Sequence, residues 1–477
     1  MVSGALRAVG DGGALDDSAL RELKATVRGE LIAPHDDRYE ATRKVWNGMI
    51  DRRPACIVRC SGVEDVVDTL RFAAARRLPL AIRGGGHNVA GHGTCDGGIV
   101  VDLSGMKAVR VDPAGRTVRA EAGVTWGELD RETQLHGLAT TGGLVSTTGI
   151  AGLTLGGGIG WLMRKHGLTC DNLISAEVVT ADGQILTASP TEHSDLFWGL
   201  RGGGGNFGVV TSFEFRLHPV SQVLAGMVLH PIARAGEVLQ FFREYVKTAP
   251  DELTALAVFL TAPPAPFLPT HLHGTPLVAI VVCYAGTPED GEQAVRALRT
   301  FGPPLVDLIG PMPYLALQGM FDAAAPAGLQ NYWKSTYLRG LDDDTIGTIV
   351  HHAADMASPL SAVHIHHLQG AVSRVGAQET AYSHRDAPFI VNIVGMWADP
   401  AASAQHVRWT REFWAGLQPW SGGGTYVNFM GEEGQDRVQE AYGTNYERLL
   451  ELKRKYDPDN LFRLNQNVAP RREASRA

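Results

Sequence analysis

Three glycine clusters stand out among the residues able to bind or react. They are Arg83-Gly84-Gly85-Gly86-His87, Gly156-Gly157-Gly158-Ile159-Gly160 and Arg201-Gly202-Gly203-Gly204-Gly205-Asn206-Phe207-Gly208. Glycine has no Cβ, so its backbone N–H groups can close on a phosphate. A lone glycine is ordinarily a turn residue, but three clusters between residues 83 and 208 point to a dinucleotide-sized ligand. The third contains Gly203-x-Gly205-x-x-Gly208, the spacing of the nicotinamide-dinucleotide fingerprint. That fingerprint must open a helix, whose N-terminal dipole meets the pyrophosphate. Here Val209-Val210-Thr211-Ser212-Phe213-Glu214-Phe215 follows, alternating and β-branched, and reads as a strand. A Rossmann site is therefore excluded, and no Walker sequence is present to make an NTPase.

The histidines sort by setting. His87 lies directly behind the first cluster, where an imidazole could act on whatever the glycines hold, although a histidine after glycines is by itself usually a loop residue. His92 has no comparable setting and reads as a loop residue. His364, His366 and His367 fall in an expected strand, with 364 and 366 on one face. Two ligands on one strand lack a third partner, so no metal site is assigned. The five cysteines, Cys56, Cys60, Cys95, Cys170 and Cys283, are odd in number and lack zinc-site spacing, and read as reduced thiols.

The elements that must position these residues change character along the chain. A helix is expected over Ser18–Glu30. Val63, Val66, Val67, Leu70 and Ala74 recur at helical spacing, and a short strand, Leu78–Ile82, leads into the first glycines. Further short strands are expected at Gly98–Leu103, Val109–Val111, Thr117–Glu121, Ile174–Thr180 and Val209–Leu217, bounded by turn residues. Beyond about residue 220 glycine thins out and units lengthen. Strands are expected at Ala255–Leu260, Leu277–Tyr284, Ala362–Leu368 and Phe389–Trp397, and helices at Gly236–Lys247, Pro288–Thr300 and Pro400–Leu417, with a Pro-rich loop over Pro263–Thr275.

Bulk properties narrow the classes. A chain of 477 residues exceeds one ordinary core and is expected to form at least two domains. With a net charge of −8 and no basic run, nucleic acid is not an expected partner. No apolar run approaches the roughly 18 residues of a membrane span, and Met1–Leu20 lacks the pattern of a secretory leader, so a cytoplasmic, membrane-free protein is expected.

Arg83-Gly84-Gly85-Gly86-His87-Asn88-Val89-Ala90-Gly91, followed by Asp96-Gly97-Gly98-Ile99-Val100-Val101-Asp102-Leu103, resembles the FAD-linked oxidases related to berberine bridge enzyme, flavoproteins of the vanillyl-alcohol-oxidase type. Further stretches match in order: Gly149-Ile150-Ala151-Gly152 with Gly156-Gly157-Gly158; Arg164 to Leu168 with Asp171-Asn172; Asp195 to Trp198 with Gly205 to Gly208; Tyr426-Val427-Asn428; and Lys455 to Asp459 with Phe462 and Asn465-Gln466-Asn467. The resemblance spans nearly the whole chain.

It implies an α+β fold: a two-part FAD-binding domain of the vanillyl-alcohol-oxidase type and a substrate domain carrying an antiparallel sheet covered by helices. Residues 1–220 would form the first part of the FAD domain, 221–424 the substrate domain, and 425–477 the segment returning to the FAD domain. His87 falls on the position that forms the 8α-histidyl bond to the flavin. Arg83, Gly84, Gly85, Gly86, Asn88, Gly143, Thr147, Thr148, Gly149, Gly152, Val209 and Asn467 are the further cofactor-binding positions. Tyr426 matches the tyrosine of the Tyr-x-Asn segment and is the leading catalytic base, with packing against the flavin as its alternative role. Asn428, Gln369, Ser373, His384 and Arg385 are the substrate-pocket candidates. Gln369 and Ser373 are taken to face one side of a strand running from His364 to Val375.

Three departures from the family matter. Many relatives carry a second tether, a Cys in a Gly-x-Cys-Pro segment, but Gly143-Leu144-Val145-Ser146 puts Val145 there, so one covalent link is expected. Cys170 is too far along the chain to replace it and reads as structural. Thr148 stands at the position of an aliphatic oxygen gate and is the size of Val, which leans toward oxidase activity. Ile159 replaces a Tyr that some alcohol-oxidising relatives use.

The function so implied is oxidation of a small organic substrate (alcohol, sugar, amine or polycyclic natural product) by hydride transfer to covalent FAD, with O2 reoxidising the flavin to give H2O2. A dehydrogenase with another acceptor is the alternative, and a non-catalytic flavin- or nucleotide-binding protein a third reading. Val145 leaves the pocket roomier, which favours a bulky or polycyclic substrate. Oligomeric state stays open.

Overall fold

The computed structural model describes residues 15–470. The reading of Met1–Leu20 as lacking a leader lies largely outside them. The first helix, Asp17–Thr26, is capped by Asp16, whose carboxylate accepts the Ala19 N–H at 2.7 Å. It stops short of the expected Glu30 because the Arg28 and Gly29 N–H groups turn onto the Asp65 carboxylate at 2.6 and 3.0 Å. Glu30–Ile32 then joins a sheet.

That sheet has four strands in the order Glu30–Ile32, Cys56–Arg59, Ile99–Asp102, Leu80–Arg83. The last three run parallel, and the amphipathic helix Val63–Ala75 makes the crossover between Cys56–Arg59 and Leu80–Arg83. A second, five-stranded antiparallel sheet orders Val109–Asp112, Thr117–Glu121, Val209–Arg216, Leu173–Val179 and Ile185–Ala188. Val209–Arg216 is thus the strand expected after the third glycine cluster, with no helix opening there.

The remaining large sheet is antiparallel. Its strands are ordered Val306–Asp307, Gln222–Pro231, Pro276–Tyr284, Leu253–Thr261, Ala362–His367, Phe389–Trp397 and Gln330–Leu338, with Gly310–Pro313 paired to the start of Gln222–Pro231. Alternation sends its residues to two faces. Ala255, Ala257, Phe259, Ile280, Ile365, Val391 and Ile393 pack under helices Ala235–Lys247, Pro288–Thr300, Asp343–Ala354 and Ser403–Leu417. The opposite face turns toward the N-terminal part and is covered partly by Trp161, Leu162, Tyr314 and Leu317.

The tail beyond Tyr426 shares the core of the N-terminal sheets, to which it contributes Tyr442, Leu449, Leu450 and Phe462. It is pinned by Lys453, which is fully buried and donates to Asp457 (2.7 Å), Asn206 O (2.9 Å) and Phe462 O (2.7 Å). The fold is α+β, with both sheet systems facing a common cavity. All five cysteines are buried and unbridged. Among the described residues no helix is long and apolar enough to cross a membrane.

Candidate active site

The cavity has a volume of about 840 Å³, inside the ~300–1,000 Å³ typical of cofactor and ligand sites. One wall is made of the turn Arg83–Gly93, the segment Leu144–Ile159, Gly204–Val210 and the tail residues Asn465 and Gln466. The opposite wall is the free face of the large sheet: Met227, Leu229, Val258, Leu260, Trp333, His364, His366, Asn392, Val394 and Met396.

Two glycine turns meet back to back in the first wall. A Cβ on Gly85 would fall 2.4 Å from the nitrogen of Gly149, and one on Gly149 would fall 2.4 Å from that of Gly85. This contact fixes the turn holding His87 against the segment holding Thr147. Thr147 Oγ1 lies 2.9 Å from His87 Nε2, and the His87 ring stacks on Trp46 with centroids 5.2 Å apart. Burial pushes the imidazole pKa down to about 4, so His87 is neutral at ordinary pH. Arg83 is held by Asp102 at 2.8 Å and by Thr42 O at 2.7 Å, which makes it a buried brace under the glycine turn.

Tyr426 is buried where the two walls meet. Its phenol oxygen accepts the N–H of Gly158 (2.7 Å), the N–H of Ile159 (3.4 Å) and the Asn428 amide (2.7 Å). The Asn428 amide is oriented by Leu153 O, to which its nitrogen donates at 3.1 Å. Among the described residues nothing accepts the phenol proton. Burial raises the pKa above the ordinary tyrosine value, opposed by those donors, each of which favours the ionised form. From here a row of rings runs back to His87: Tyr426–Phe429 at 4.9 Å, Phe429–Trp333 at 6.1 Å, Trp333–Trp46 at 5.7 Å, then Trp46–His87.

The positions singled out from sequence divide in three. Arg83, Gly84, Gly85, Gly86, His87, Asn88, Thr148, Gly149, Gly152, Val209, Tyr426 and Asn428 all line the cavity. Thr147 touches it through His87, while Gly143 and Asn467 sit behind the lining.

Gln369 and Ser373 do not face the cavity. The strand ends at His367, Gln369 and Gly370 take positive φ (43° and 62°), and Ala371–Arg374 is a helical turn whose exposed Ser373 bonds Gly370 O. The backbone reversal at a Gly370 packed against Arg164 O turns that segment outward.

His384 and Arg385 also lie away from it. His384 stacks on Tyr337 and bonds the carbonyls of Glu440 and Ala441. Arg385 makes a buried bidentate pair with Asp171, both contacts at 2.7 Å. Both side chains tie chain segments together.

Sequence reading missed Trp46, His92, Asn392, Phe429, Asn465 and Gln466 as cavity residues. His92 lines it with both ring nitrogens unpaired. For Asn392 a signal existed: alternation along Phe389–Trp397 puts 392, 394 and 396 on one face, and His364 is the cross-strand partner of Asn392. His364 and His366 do share a face, as expected, and among the described residues no group of three or more His, Cys, Asp or Glu could hold a metal ion.

Residues 54–189 match the family described as FAD binding domain, and residues 425–469 the family described as berberine and berberine like. An FAD-linked oxidoreductase of Dictyostelium discoideum is 33% identical over 456 residues, covering 94% of this chain and 97% of the relative. The chain belongs to the berberine bridge enzyme-like FAD-linked oxidoreductases. Within that family, (R)-6-hydroxynicotine oxidase of Paenarthrobacter nicotinovorans is 30% identical over 466 residues, 93% of this chain and 97% of the relative. Among solved structures, 6-hydroxy-D-nicotine oxidase from Arthrobacter nicotinovorans superposes with TM-score 0.84 at 30% identity, covering 93% of this chain and 98% of that one. BBE-like 1 of Physcomitrella patens shares the fold, with TM-score 0.85 at 23% identity, covering 95% of this chain and 100% of that one.

The residues present fit FAD. Gly152 and Gly205 line the cavity, yet a Cβ on either would meet nothing within 4 Å, so the protein leaves open the space that a side chain would fill. Asn465 is tied to Gly205 O at 2.9 Å, and its Oδ1 is buried beside the cradle with no partner. A neutral imidazole and a donor-surrounded phenol both line the cavity.

Proposed function

We propose that this oxidoreductase is an oxidase holding FAD through one covalent bond to His87, with Tyr426 as catalytic base for a small organic substrate and O2 as acceptor. On this reading residues 1–220 and 425–477 bind FAD and 221–424 form the substrate domain. The observation that carries it is the setting of Tyr426: a phenol oxygen inside the cavity with three N–H donors and no acceptor. Such a shell stabilises the charge the phenol acquires when its proton is gone, so the oxygen is prepared to take a proton from substrate.

The other residues follow. When Nε2 of His87 donates to Thr147, Nδ1 keeps its lone pair free, and burial keeps the ring unprotonated, as a nucleophile requires. Val145 lines the cavity where a second tether would stand, and no cysteine is among the lining residues, which supports a single link. The glycine turns and Asn465 would hold the phosphate-bearing part. Leu144, Leu153 and Ile159 would exclude water around the reacting atoms. Bound there, FAD would supply the two-electron chemistry between substrate carbon and O2. In balance, substrate loses a hydride and a proton and O2 leaves as H2O2.

Two measurements test this. Acid precipitation of purified protein should give a yellow pellet; a colourless pellet under a yellow supernatant would overturn the His87 bond. Dithionite-reduced enzyme mixed with air in a stopped-flow instrument should regain its flavin absorbance at once. Flavin that stays bleached in air would make this a dehydrogenase.

A further inference from the structure

The sheet-side half of the cavity has a chemical character of its own. Arg83 is the sole charged residue among the described residues that line the whole cavity; it lies on the opposite wall and is already paired with Asp102. Apart from Thr261 and from Ser361, whose hydroxyl is already bonded to the Met396 backbone, the sheet wall is apolar except for a compact group centred on His364, His366 and Asn392. His364 and Asn392 are cross-strand partners, and His366 is the next residue of its strand on the same face. His366 Nε2 and Asn392 Oδ1 are both buried without a hydrogen-bond partner, in side chains only 2% exposed. Native proteins seldom leave such atoms unpaired, and a ligand group that pairs them removes the penalty. The His366 ring is 6.0 Å from Phe429, which in turn is 4.9 Å from Tyr426, so the polar group stands one ring away from the phenol. The mouth is apolar too, rimmed by the exposed side chains of Phe267 (57%) and Leu360 (41%).

From these observations we infer that the substrate is an uncharged, largely apolar ring compound bearing a hydroxyl, whose O–H donates to Asn392 Oδ1 and whose oxygen pairs with His366 Nε2. Three alternatives conflict with this wall. A protonated amine would enter a desolvated cavity holding no carboxylate, and a carboxylic acid would find no free cation. A sugar would bring many hydroxyls to a surface with few partners for them, each lost bond being a desolvation cost. Burial pushes the pKa of His364 down to about 4 and that of His366 down to about 3, so both rings are neutral, able to donate from one nitrogen and accept at the other.

The inference rests on the oxidoreductase reading, but its test uses binding as well as turnover. FAD-loaded enzyme is titrated by calorimetry and by flavin difference spectra with 2-naphthol, naphthalene, 1-naphthylmethylamine (a cation at neutral pH) and cellobiose. 2-Naphthol is expected to bind at least about tenfold tighter than naphthalene, with the amine and cellobiose weaker than both. His366→Phe and Asn392→Leu should each cut 2-naphthol affinity about tenfold while leaving naphthalene affinity within about twofold, and His366→Gln, which keeps a hydrogen-bonding group, should retain the preference.

Equal or tighter binding of cellobiose or the amine overturns the proposal. So does a His366→Phe protein that keeps yellow colour and a parental melting temperature yet still prefers 2-naphthol. Protein that never carries flavin would instead overturn the oxidoreductase reading, and the colour of each sample separates the two failures.

Discussion

The backbone N–H of Gly158 donates to the phenol oxygen of Tyr426 at 2.7 Å, joining residues 268 positions apart in the chain. The glycines of the cluster that reads in sequence as part of a phosphate cradle instead lie behind the cavity lining, where Gly158 holds the phenol oxygen proposed as the base. Gly158 adopts φ +93°, and a Cβ there would fall 2.1 Å from Thr169 Oγ1, so the N–H can be aimed this way only by glycine.

Removing the phenol oxygen while keeping its ring tests the role of Tyr426. Tyr426→Phe should keep FAD yet slow anaerobic flavin bleaching by substrate by about 10²- to 10⁴-fold, the usual worth of a positioned base. Because burial raises the phenol pKa, the neutral form prevails through neutral pH. The parental rate should therefore climb into the alkaline range, and the Phe variant should lose that climb. A rate within twofold of the parent would leave Tyr426 only a packing role.

Alanine at two cavity glycines should act differently. Gly205→Ala meets no protein atom within 4 Å, so the apoprotein should melt as the parent does while FAD binding weakens. Gly85→Ala forces its Cβ to 2.4 Å from the Gly149 nitrogen and should destabilise the apoprotein itself by about 1–3 kcal/mol. Calorimetric melting with and without FAD separates the two effects.

His87→Ala should abolish covalent flavin, leaving the colour in the acid supernatant. In the parent, the His87 pKa is lowered to about 4, so its nucleophilic neutral form is full above about pH 5 and is lost as pH falls through 4. Reconstitution of apoprotein with FAD should proceed at a pH-independent rate through the neutral range and slow only in acid. A rate that titrates near the ordinary histidine pKa would contradict the buried setting.

Asp130 gives a stability prediction. It is buried on the helix Trp126–Gln134, bonded by Gln318 at 2.7 Å, with its other oxygen unpaired, and burial raises its pKa to about 7. In the unfolded chain the carboxyl titrates near ~3.9. Folding therefore favours the protonated form, and stability falls as pH rises from about 4 to about 7 and then levels. Asp130→Asn removes that loss: the variant should melt above the parent at pH values over 7, with the gap closing toward pH 4. Thermal melts across this window check it.

Arg385 should prove structural. Its bidentate pair with Asp171 joins two buried side chains, and removing one partner strands a charge, so Arg385→Met should cost about 3–5 kcal/mol in denaturant unfolding. The KM of the protein that still folds should stay at the parental value. A raised KM with unchanged stability would restore the substrate-pocket role.

What the chain determines locally was readable from it. The alternating run after Gly208 is a strand because β-branched residues fit a pleated surface, and Pro288–Thr300 and Phe389–Trp397 fall where periodicity and their boundary residues put them. His87 and the first glycine cluster stood out by residue type and order and Tyr426 by the family resemblance, and all of them line the cavity. Gln369 and Ser373 were misplaced because one backbone reversal at Gln369 and Gly370 cancels a strand pattern that side-chain alternation alone would continue.

Only the tertiary structure decided which of these meet. It brought Gly85 onto Gly149, the Gly158 N–H onto Tyr426, and His366 and Asn392 from neighbouring strands to a common wall. Local sequence encodes dihedral preference and period. Contacts between residues far apart in the chain depend on sheet register and on the packing of one layer against another, which no single stretch contains.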